Sequence, residues 1–449
     1  LTVCCAASSE FPKCIATSQP DLAMAIAIAR PNLLAAPVTN TTFLFASLVV
    51  IFATSPIRVV DSQTMNLTPS SAELTQSEEL SKVIRNAITQ HGGKISFSKY
   101  MELALYTPIL GYYSGSASKL GSAGDFITAP EISPLFGASI TQTLLPILEN
   151  LQKIGKPLEI LEFGAGTGKL ALSILDELQK LEFEIDSYKI LDLSADLIER
   201  QKEFLSGRSE NIQWLTALPN QFDGIILANE VLDAMPVEII SMTQGKWHYQ
   251  WVTTNKNGFE FIPGDEVPAS VISNELAQIS LPDGFTTELH LNAGAWIKSI
   301  STMLDTGALL AFDYGFPARE YYHPQRNQGT LMLHYKHHAV QDPFYLPGIC
   351  DITAHVDWTG IANAAHPHQM NLLGYTNQAA YLLDAGIGEL ALRDANPNEA
   401  DSFLKISNNL QKLLSEAEMG ELFKVMCLGK NLEFSEGELP GFRGRPRAL

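Results

Sequence analysis

Apolar side chains recur at helical spacing in the early part of the chain. Residues 78–90 and 136–151 each place them on one face of a helix. Between these two stretches lies a glycine-rich segment that leads into GDFITAPEISPLFG at 124–137. The pattern therefore predicts an N-terminal segment, 65–150, in which two helices are joined by a long loop.

After residue 157 the pattern alternates between short apolar runs and amphipathic stretches. Strands are predicted at 158–163, 188–193, 222–228 and 308–313, and helices follow the first two strands at 169–181 and 194–204. Strands that alternate with helices in this way form a parallel, doubly wound α/β sheet.

The stretch 241–300 interrupts this alternation. Trp247, Tyr249 and Trp251 occupy every second position, as on a half-buried strand. We therefore expect an inserted lobe here. The chain then divides into an atypical extension at 1–64, the helical segment at 65–150, the α/β core at 151–240, the lobe at 241–300, the remainder of the core at 301–435 and a flexible tail at 436–449.

Charge separates the first 64 residues from the others. The 449-residue chain has 30 Lys+Arg and 49 Asp+Glu, a formal net charge of −19, yet residues 1–64 hold as many basic as acidic side chains. Their apolar run at 43–53 is shorter than the roughly 20 residues that a membrane-spanning helix needs. We interpret 1–64 as non-native or upstream-translated sequence, with Met65 as the physiological start. A membrane anchor at 43–53 is the alternative.

Composition excludes several classes of function. The acidic balance disfavours a non-specific nucleic-acid binder, because phosphate contacts need clustered Lys and Arg. The five cysteines include no C-x-x-C pair, which argues against a disulfide scaffold and a zinc finger. No G-x-S-x-G motif supports a serine hydrolase. A group of histidines and aspartates after residue 330 could suggest a metal site. It consists of His334, His337, His338, Asp351, His355 and Asp357. The histidines at 334–338 lack a recognised ligand spacing, so we predict no metal.

A glycine-rich turn joins the first core strand to its helix. After Glu162 come Gly164, Gly166 and Gly168, which allow a ligand to approach the backbone closely, and the following helix offers unpaired N–H donors. The dinucleotide motif G-x-G-x-x-G fails because Lys169 occupies its last position, which opposes a nicotinamide dehydrogenase. Asp192 ends the next strand, where a carboxylate can accept both hydroxyls of a ribose.

This turn and its acid resemble the first motif of S-adenosylmethionine-dependent methyltransferases. Five longer segments narrow the resemblance to the MidA-like methyltransferases, a family that includes a mitochondrial complex I assembly factor which methylates an arginine. The segments are GDFITAPEISPLFG at 124–137, ANEVLDAMPVE at 228–238, FDYG at 312–315, GTLMLHYKHH at 329–338 and PGICDITAHVDW at 347–358. The resemblance covers residues 85–430, approximately.

The resemblance implies a doubly wound, Rossmann-like class I methyltransferase sheet with an N-terminal helical segment and an inserted lobe. It implies S-adenosyl-L-methionine as cofactor, with the methionine part on Gly164, Gly166 and Gly168 beside Glu162, and the ribose on Asp192. The stretch around Asp125, Phe126, Thr128 and Glu131 looks like the family's N-terminal loop, which could close over the cofactor. Trp214 and Leu215, after a third strand, could flank the adenine or pack in the core.

The family's acceptor chemistry directs attention to Glu230 and Asp233. Both follow the strand at 222–228, three residues apart, and we expect them at the start of a helix where they could face one cleft. Carboxylates can grip a guanidinium with two hydrogen bonds each. We assign both residues to the acceptor site as catalytic candidates. The alternative is that they only cap and solvate the first turn of that helix.

The leading hypothesis is a protein arginine methyltransferase. Its partner would be a protein with an accessible arginine, such as a respiratory-complex subunit. We expect no nucleic-acid partner. Two alternatives stay open, a chaperone that binds the cofactor without transferring a methyl group and a small-molecule methyltransferase. A cytoplasmic location is expected, with the mitochondrial matrix as the alternative.

Overall fold

A computed structural model describes residues 68–114, 128–336, 338–395, 400–415, 422–444 and 449. The extension at 1–64, including its apolar run at 43–53, therefore lies outside the described residues. The helices are α1 (Ser71–Gln90), α2 (Phe97–Tyr106), α3 (Ala129–Ile132), α4 (Leu135–Lys153), α5 (Lys169–Lys180), α6 (Ala195–Phe204), α7 (Asn274–Gln278), α8 (Leu291–Met303), α9 (Ala318–Tyr321), α10 (Trp358–Ala365), α11 (Gln378–Asp384), α12 (Ile387–Asp394) and α13 (Ala400–Leu414).

The strands form one large sheet and two smaller ones. They are β1 (Ile95–Ser96), β2 (Glu159–Phe163), β3 (Ser187–Leu191), β4 (Ile212–Leu215), β5 (Phe222–Asn229), β6 (Glu238–Thr243), β7 (Lys246–Thr254), β8 (Phe259–Glu266), β9 (Thr286–Leu289), β10 (Leu304–Phe316), β11 (Met332–Tyr335), β12 (His338–Val340), β13 (Asp351–Thr353), β14 (Val356–Asp357), β15 (Asn371–Asn377) and β16 (Phe423–Lys430). Two 3₁₀ helices, Ser206–Asn211 and His366–His368, complete the described elements.

The large sheet has the strand order β15-β16-β10-β5-β2-β3-β4, and β14 pairs with the end of β10. The five strands from β10 to β4 are mutually parallel. The predicted doubly wound α/β sheet is therefore confirmed. The prediction that the whole sheet is parallel is wrong, because β16 runs antiparallel to both β10 and β15.

Side chains alternate between the two faces of this sheet. One face packs Ile160 and Leu227 against α4 and α5. On the other face Phe163 packs against Trp296 of α8, with ring centroids 5.2 Å apart, and the N-terminal helix α2 belongs to the same core. The helices α1 and α4 start earlier than the apolar periodicity indicates. For α1 the reason is a capping box between Ser70 and Glu73.

A second, antiparallel sheet accounts for the interruption of the α/β pattern. Its order is β1-β7-β6-β9, with β8 pairing with β7. Both ends of this sheet differ from those of the lobe predicted at 241–300. The sheet starts at Glu238 and takes in β1 from the N-terminal segment, and it ends at Leu289. Helix α8 returns to the large sheet, because its apolar stripe is completely buried there (Trp296, Ile297 and Ile300).

The first part of the tail at 436–449, predicted to be flexible, packs against the core. Leu439 and Phe442 are buried, with 0% and 4% of their surface exposed. The Phe442 ring lies 5.3 Å from that of Tyr381, and it occupies the space that a Cβ on Gly374 would need. Two apolar side chains thus anchor the tail, while residues 445–448 lie outside the described part. None of the described helices is long and apolar enough to cross a membrane.

Replacing Phe442 with alanine should therefore destabilise the fold. We expect Phe442→Ala to lower the free energy of unfolding by about 3 kcal/mol, because it removes a buried ring and leaves a cavity. Urea unfolding followed by tryptophan fluorescence measures this loss. The control is Arg443→Ala, whose side chain is 54% exposed beside Asp384, and it should change stability by less than about 1 kcal/mol. Equal effects of the two variants would contradict the anchoring role of Phe442.

Candidate functional site

The glycine turn forms where β2 ends and α5 begins. Gly164, Gly166 and Gly168 have φ angles of 59°, 54° and 85°. A side chain at any of these positions would strain the left-handed backbone, which explains why glycine is used. The Gly164 N–H donates to Leu191 O at 2.9 Å, so the turn is fixed to the end of β3. Its backbone faces a cleft that is also lined by Glu162, Asn229 and the segment 128–131.

Glu162 is buried at the end of β2. Its carboxylate accepts a hydrogen bond of 2.8 Å from the Tyr188 hydroxyl. Burial raises the pKa of Glu162 to about 8, and the nearby Asp192 adds to this increase. An acid this close to neutrality is sensitive to any charge that enters the cleft.

Asp192 follows β3, on the strand next to Glu162. One carboxylate oxygen accepts from the Ser194 N–H at 2.9 Å, and the other accepts from the Gln201 side-chain amide at 2.9 Å. Burial raises the pKa of Asp192 to about 6, so the carboxylate is mostly ionised at neutral pH. It can then act as a hydrogen-bond acceptor for hydroxyl groups.

Gln201 is not among the predicted site residues, yet it is completely buried on α6 and contacts Asp192. A signal was present, because Gln201 stands four residues after Leu197 and four before Leu205, on the inward face of the helix. A polar side chain at an inward position needs partners. Trp214 is one of them, since its Nε1–H donates to Gln201 Oε1 at 3.1 Å. Trp214 and Leu215 are the last residues of β4 and do not follow it.

The segment after the long loop is fastened to the glycine turn. Thr128 begins α3, where its hydroxyl accepts from the Glu131 N–H at 3.2 Å. The Glu131 carboxylate in turn accepts from the Thr167 hydroxyl and pairs with the Lys169 ammonium group. These contacts make Thr128 and Glu131 a wall of the cleft. Asp125 and Phe126 lie outside the described residues.

Glu230 and Asp233 lie in an irregular turn between β5 and β6, which corrects the prediction that they start a helix. The turn is not helical because the carbonyls of Asp233 and Ala234 accept from Ala354 N–H and the Tyr106 hydroxyl, at 3.0 and 2.7 Å. Pro236 also lacks the N–H that a helix would use. Both acids are buried, with 0% and 1% of their surface exposed, so they do not solvate a helix end.

Asp313, from the FDYG segment, holds this turn from the neighbouring strand. Its Oδ2 accepts from the backbone N–H groups of Leu232 and Asp233 at 2.8 and 3.1 Å. Burial raises the pKa of Asp313 to about 8. The sequence motifs at 228–238, 312–315 and 347–358 therefore meet at one turn. The roles of Asp313 and Tyr106 depend on this contact between distant segments, and no local pattern indicates them.

The histidines and aspartates after residue 330 make separate contacts. Asp351 accepts from the Tyr113 hydroxyl at 2.9 Å, and Asp357 accepts from the Tyr322 hydroxyl at 2.9 Å. His355 packs between aromatic rings, and burial lowers its pKa to about 3. Within the described ranges, which omit His337, no three His, Cys, Asp or Glu side chains are arranged to hold a metal ion.

Residues 139–376 match the protein-family model described as "Putative S-adenosyl-L-methionine-dependent methyltransferase". The chain belongs to this family. Membership confirms the predicted cofactor, S-adenosyl-L-methionine, and the similarity to a solved structure at 43% identity confirms the expected class of fold.

Relatives of this methyltransferase agree with the assignment. A crystal structure of a Burkholderia thailandensis protein bound to S-adenosyl-homocysteine is 43% identical, with a TM-score of 0.79, and the match covers 85% of this chain and 99% of that one. The protein arginine methyltransferase NDUFAF7 of Danio rerio is 27% identical over 77% of this chain and 86% of its own length. Its human counterpart is 25% identical over 75% and 80%, respectively.

The residues of the methyltransferase cleft fit this cofactor. Asn229 Oδ1 is buried beside the glycine turn and has no hydrogen-bond partner among the described residues, so it can accept from the ammonium group of the methionine part. We expect the turn to bring backbone close to the cofactor and Asp192 to offer acceptors for its ribose. When bound, the cofactor supplies a methyl group on a positively charged sulfur.

Cofactor affinity should depend on the ionisation of Asp192. Below its pKa of about 6 the carboxyl group gains a proton and loses acceptor capacity, so affinity for S-adenosyl-homocysteine should fall as the pH drops from 7 to 5. Asp192→Asn should weaken binding about tenfold at pH 7.5, as expected for hydrogen bonds to a charged group, and should flatten the acid dependence. Isothermal titration calorimetry gives both.

The matched control is Asp196→Asn, on the exposed side of α6, which should leave the affinity and its pH dependence unchanged. Wild-type affinity in Asp192→Asn at pH 7.5 would exclude a role for Asp192 in ribose binding.

Proposed function

We propose that this methyltransferase is a protein arginine N-methyltransferase in which Glu230 and Asp233 hold the substrate guanidinium. The observation that carries the proposal is the position of these two buried carboxylates. Glu230 directly follows Asn229, which lines the cofactor cleft, and Asp233 lies on the same turn. The relatives named as protein arginine methyltransferases support the same acceptor.

An arginine needs help to act as a methyl acceptor, because its guanidinium stays protonated in water and is a poor nucleophile. Two carboxylates that bind it through paired hydrogen bonds can localise its positive charge away from the attacking nitrogen. One of them can also take the proton that this nitrogen loses. The remaining task is to align the nitrogen with the methyl group and the sulfur, which the fixed turn serves.

Burial suits these carboxylates to a cation. Two acids enclosed at the edge of a sheet are stabilised when a positive group enters, since attraction is stronger where water is excluded. The net charge of −19 has the sign that attracts a basic protein segment. We propose a protein with an accessible arginine as the partner, and on the family resemblance a respiratory-complex subunit is the first candidate.

Labelling distinguishes this proposal from its alternatives. The full chain is incubated with cofactor that carries a radioactive methyl group and with a cell extract, and labelled proteins are hydrolysed to amino acids. We expect label in methylated arginine. Label in small metabolites alone would favour a small-molecule methyltransferase. Binding of S-adenosyl-homocysteine with no transfer to any fraction would favour the chaperone alternative.

Substitutions on the turn test the two carboxylates. Glu230→Gln and Asp233→Asn should each lower kcat/KM for the protein substrate about 100-fold, because a neutral amide no longer localises the positive charge or takes the proton. Binding of S-adenosyl-homocysteine should stay within about twofold of wild type. The control is Glu260→Gln on the exposed surface of β8, which should retain full activity. A Glu230→Gln enzyme with wild-type kcat/KM would refute the assignment.

A further inference from the structure

Gln201 links Asp192 to the glycine turn. Its side-chain Nε2 donates to Asp192 Oδ2 at 2.9 Å and to the Gly166 carbonyl at 3.0 Å. Its Oε1 accepts from Trp214 Nε1–H at 3.1 Å. The residue has no exposed surface, and its hydrogen bond to Asp192 is fully buried.

These partners permit a single orientation of the amide. Trp214 Nε1–H can only donate, whereas the Gly166 carbonyl can only accept, and so can the ionised Asp192 carboxylate. Rotation of the amide by 180° would place an oxygen against two acceptors and an NH₂ group against a donor. Trp214 therefore orients Gln201, and Gln201 in turn directs one N–H at Asp192 and the other at the glycine turn.

The consequence for Asp192 concerns the acceptors that remain. A carboxylate has about four lone-pair sites, two on each oxygen. The Ser194 N–H occupies one site on Oδ1 and Gln201 occupies one site on Oδ2. The Leu193 N–H also donates to this carboxylate, so little acceptor capacity is left for a ribose, and its direction depends on how the carboxylate plane is held.

We propose that Gln201 is a positioning residue of the cofactor site, which fixes the plane of the Asp192 carboxylate and its distance from the glycine turn. The ribose acceptor and the backbone that faces the methionine part then keep a constant separation, which a single ligand must span. This inference rests on the cofactor that the family shares and is independent of the arginine acceptor.

The pH dependence of binding provides a readout that a merely structural role would not change. The pKa of Asp192 is subject to two opposing influences, since burial disfavours the ionised form and the donors from Ser194, Gln201 and Leu193 favour it. Loss of the Gln201 donor should raise the pKa of Asp192 further above its ordinary value. The acid-side loss of affinity should then begin at a higher pH.

The test is calorimetric titration of the full chain with S-adenosyl-homocysteine between pH 5 and 8. Gln201→Met keeps the length of the side chain and removes every hydrogen bond. We expect about tenfold weaker binding at pH 7.5, as for a lost hydrogen bond to a charged group, and a loss of affinity that begins at higher pH than in wild type. Gln213→Met, on the exposed face of β4, is the control and should match wild type in both respects.

Trp214→Phe provides a second variant that keeps an aromatic ring and removes the donor to Gln201. It should shift the acid-side loss in the same direction by a smaller amount. The proposal is overturned if Gln201→Met binds within twofold of wild type at pH 7.5 with an unshifted acid side. If Gln201→Met does not fold, an unshifted acid side in Trp214→Phe overturns it instead.

Discussion

Parallel pairing of β3, β2, β5 and β10 is the constraint on which the site depends. Because the four strands run in the same direction, their carboxyl ends meet at one edge of the sheet. Each strand end contributes one part, namely the glycine turn after β2, Asp192 after β3, the Glu230 turn after β5 and Asp313 near the end of β10. A change in strand order would scatter these residues over the surface.

Much of this arrangement can be predicted from the sequence, because buried parallel strands are short, continuous apolar runs. The prediction of a strand at 158–163 differs from β2 by one residue, and that at 222–228 differs from β5 by one. The glycine turn and Asp192 are predictable for a local reason. A left-handed backbone requires glycine, and an acid at the end of the next strand lies beside it.

Other features could not be predicted because they depend on contacts between distant segments. An apolar run such as β16, buried on both faces, carries no information on its direction. Phe442 is buried only because Gly374, nearly seventy residues earlier, leaves room for its ring. The turn at 230–235 takes its shape from Asp313, Ala354 and Tyr106. Gln201 and Pro236 differ from these features, because their signals are local. Gln201 is a polar residue on the inward face of a helix, and Pro236 lacks the backbone N–H that a helix would need.

The position of Asn229 and Glu230 as neighbours at one strand end has a further consequence. The Asn229 side chain lines the cofactor cleft, and Glu230 begins the turn that we propose as the acceptor site, which is held by contacts from the N-terminal helix α2 and from segments after residue 312. If that proposal holds, selection can diversify the acceptor side through substitutions in those segments without disturbing the cofactor cleft. Such a division allows descendants of one ancestral enzyme to acquire new targets while they retain the same methyl donor.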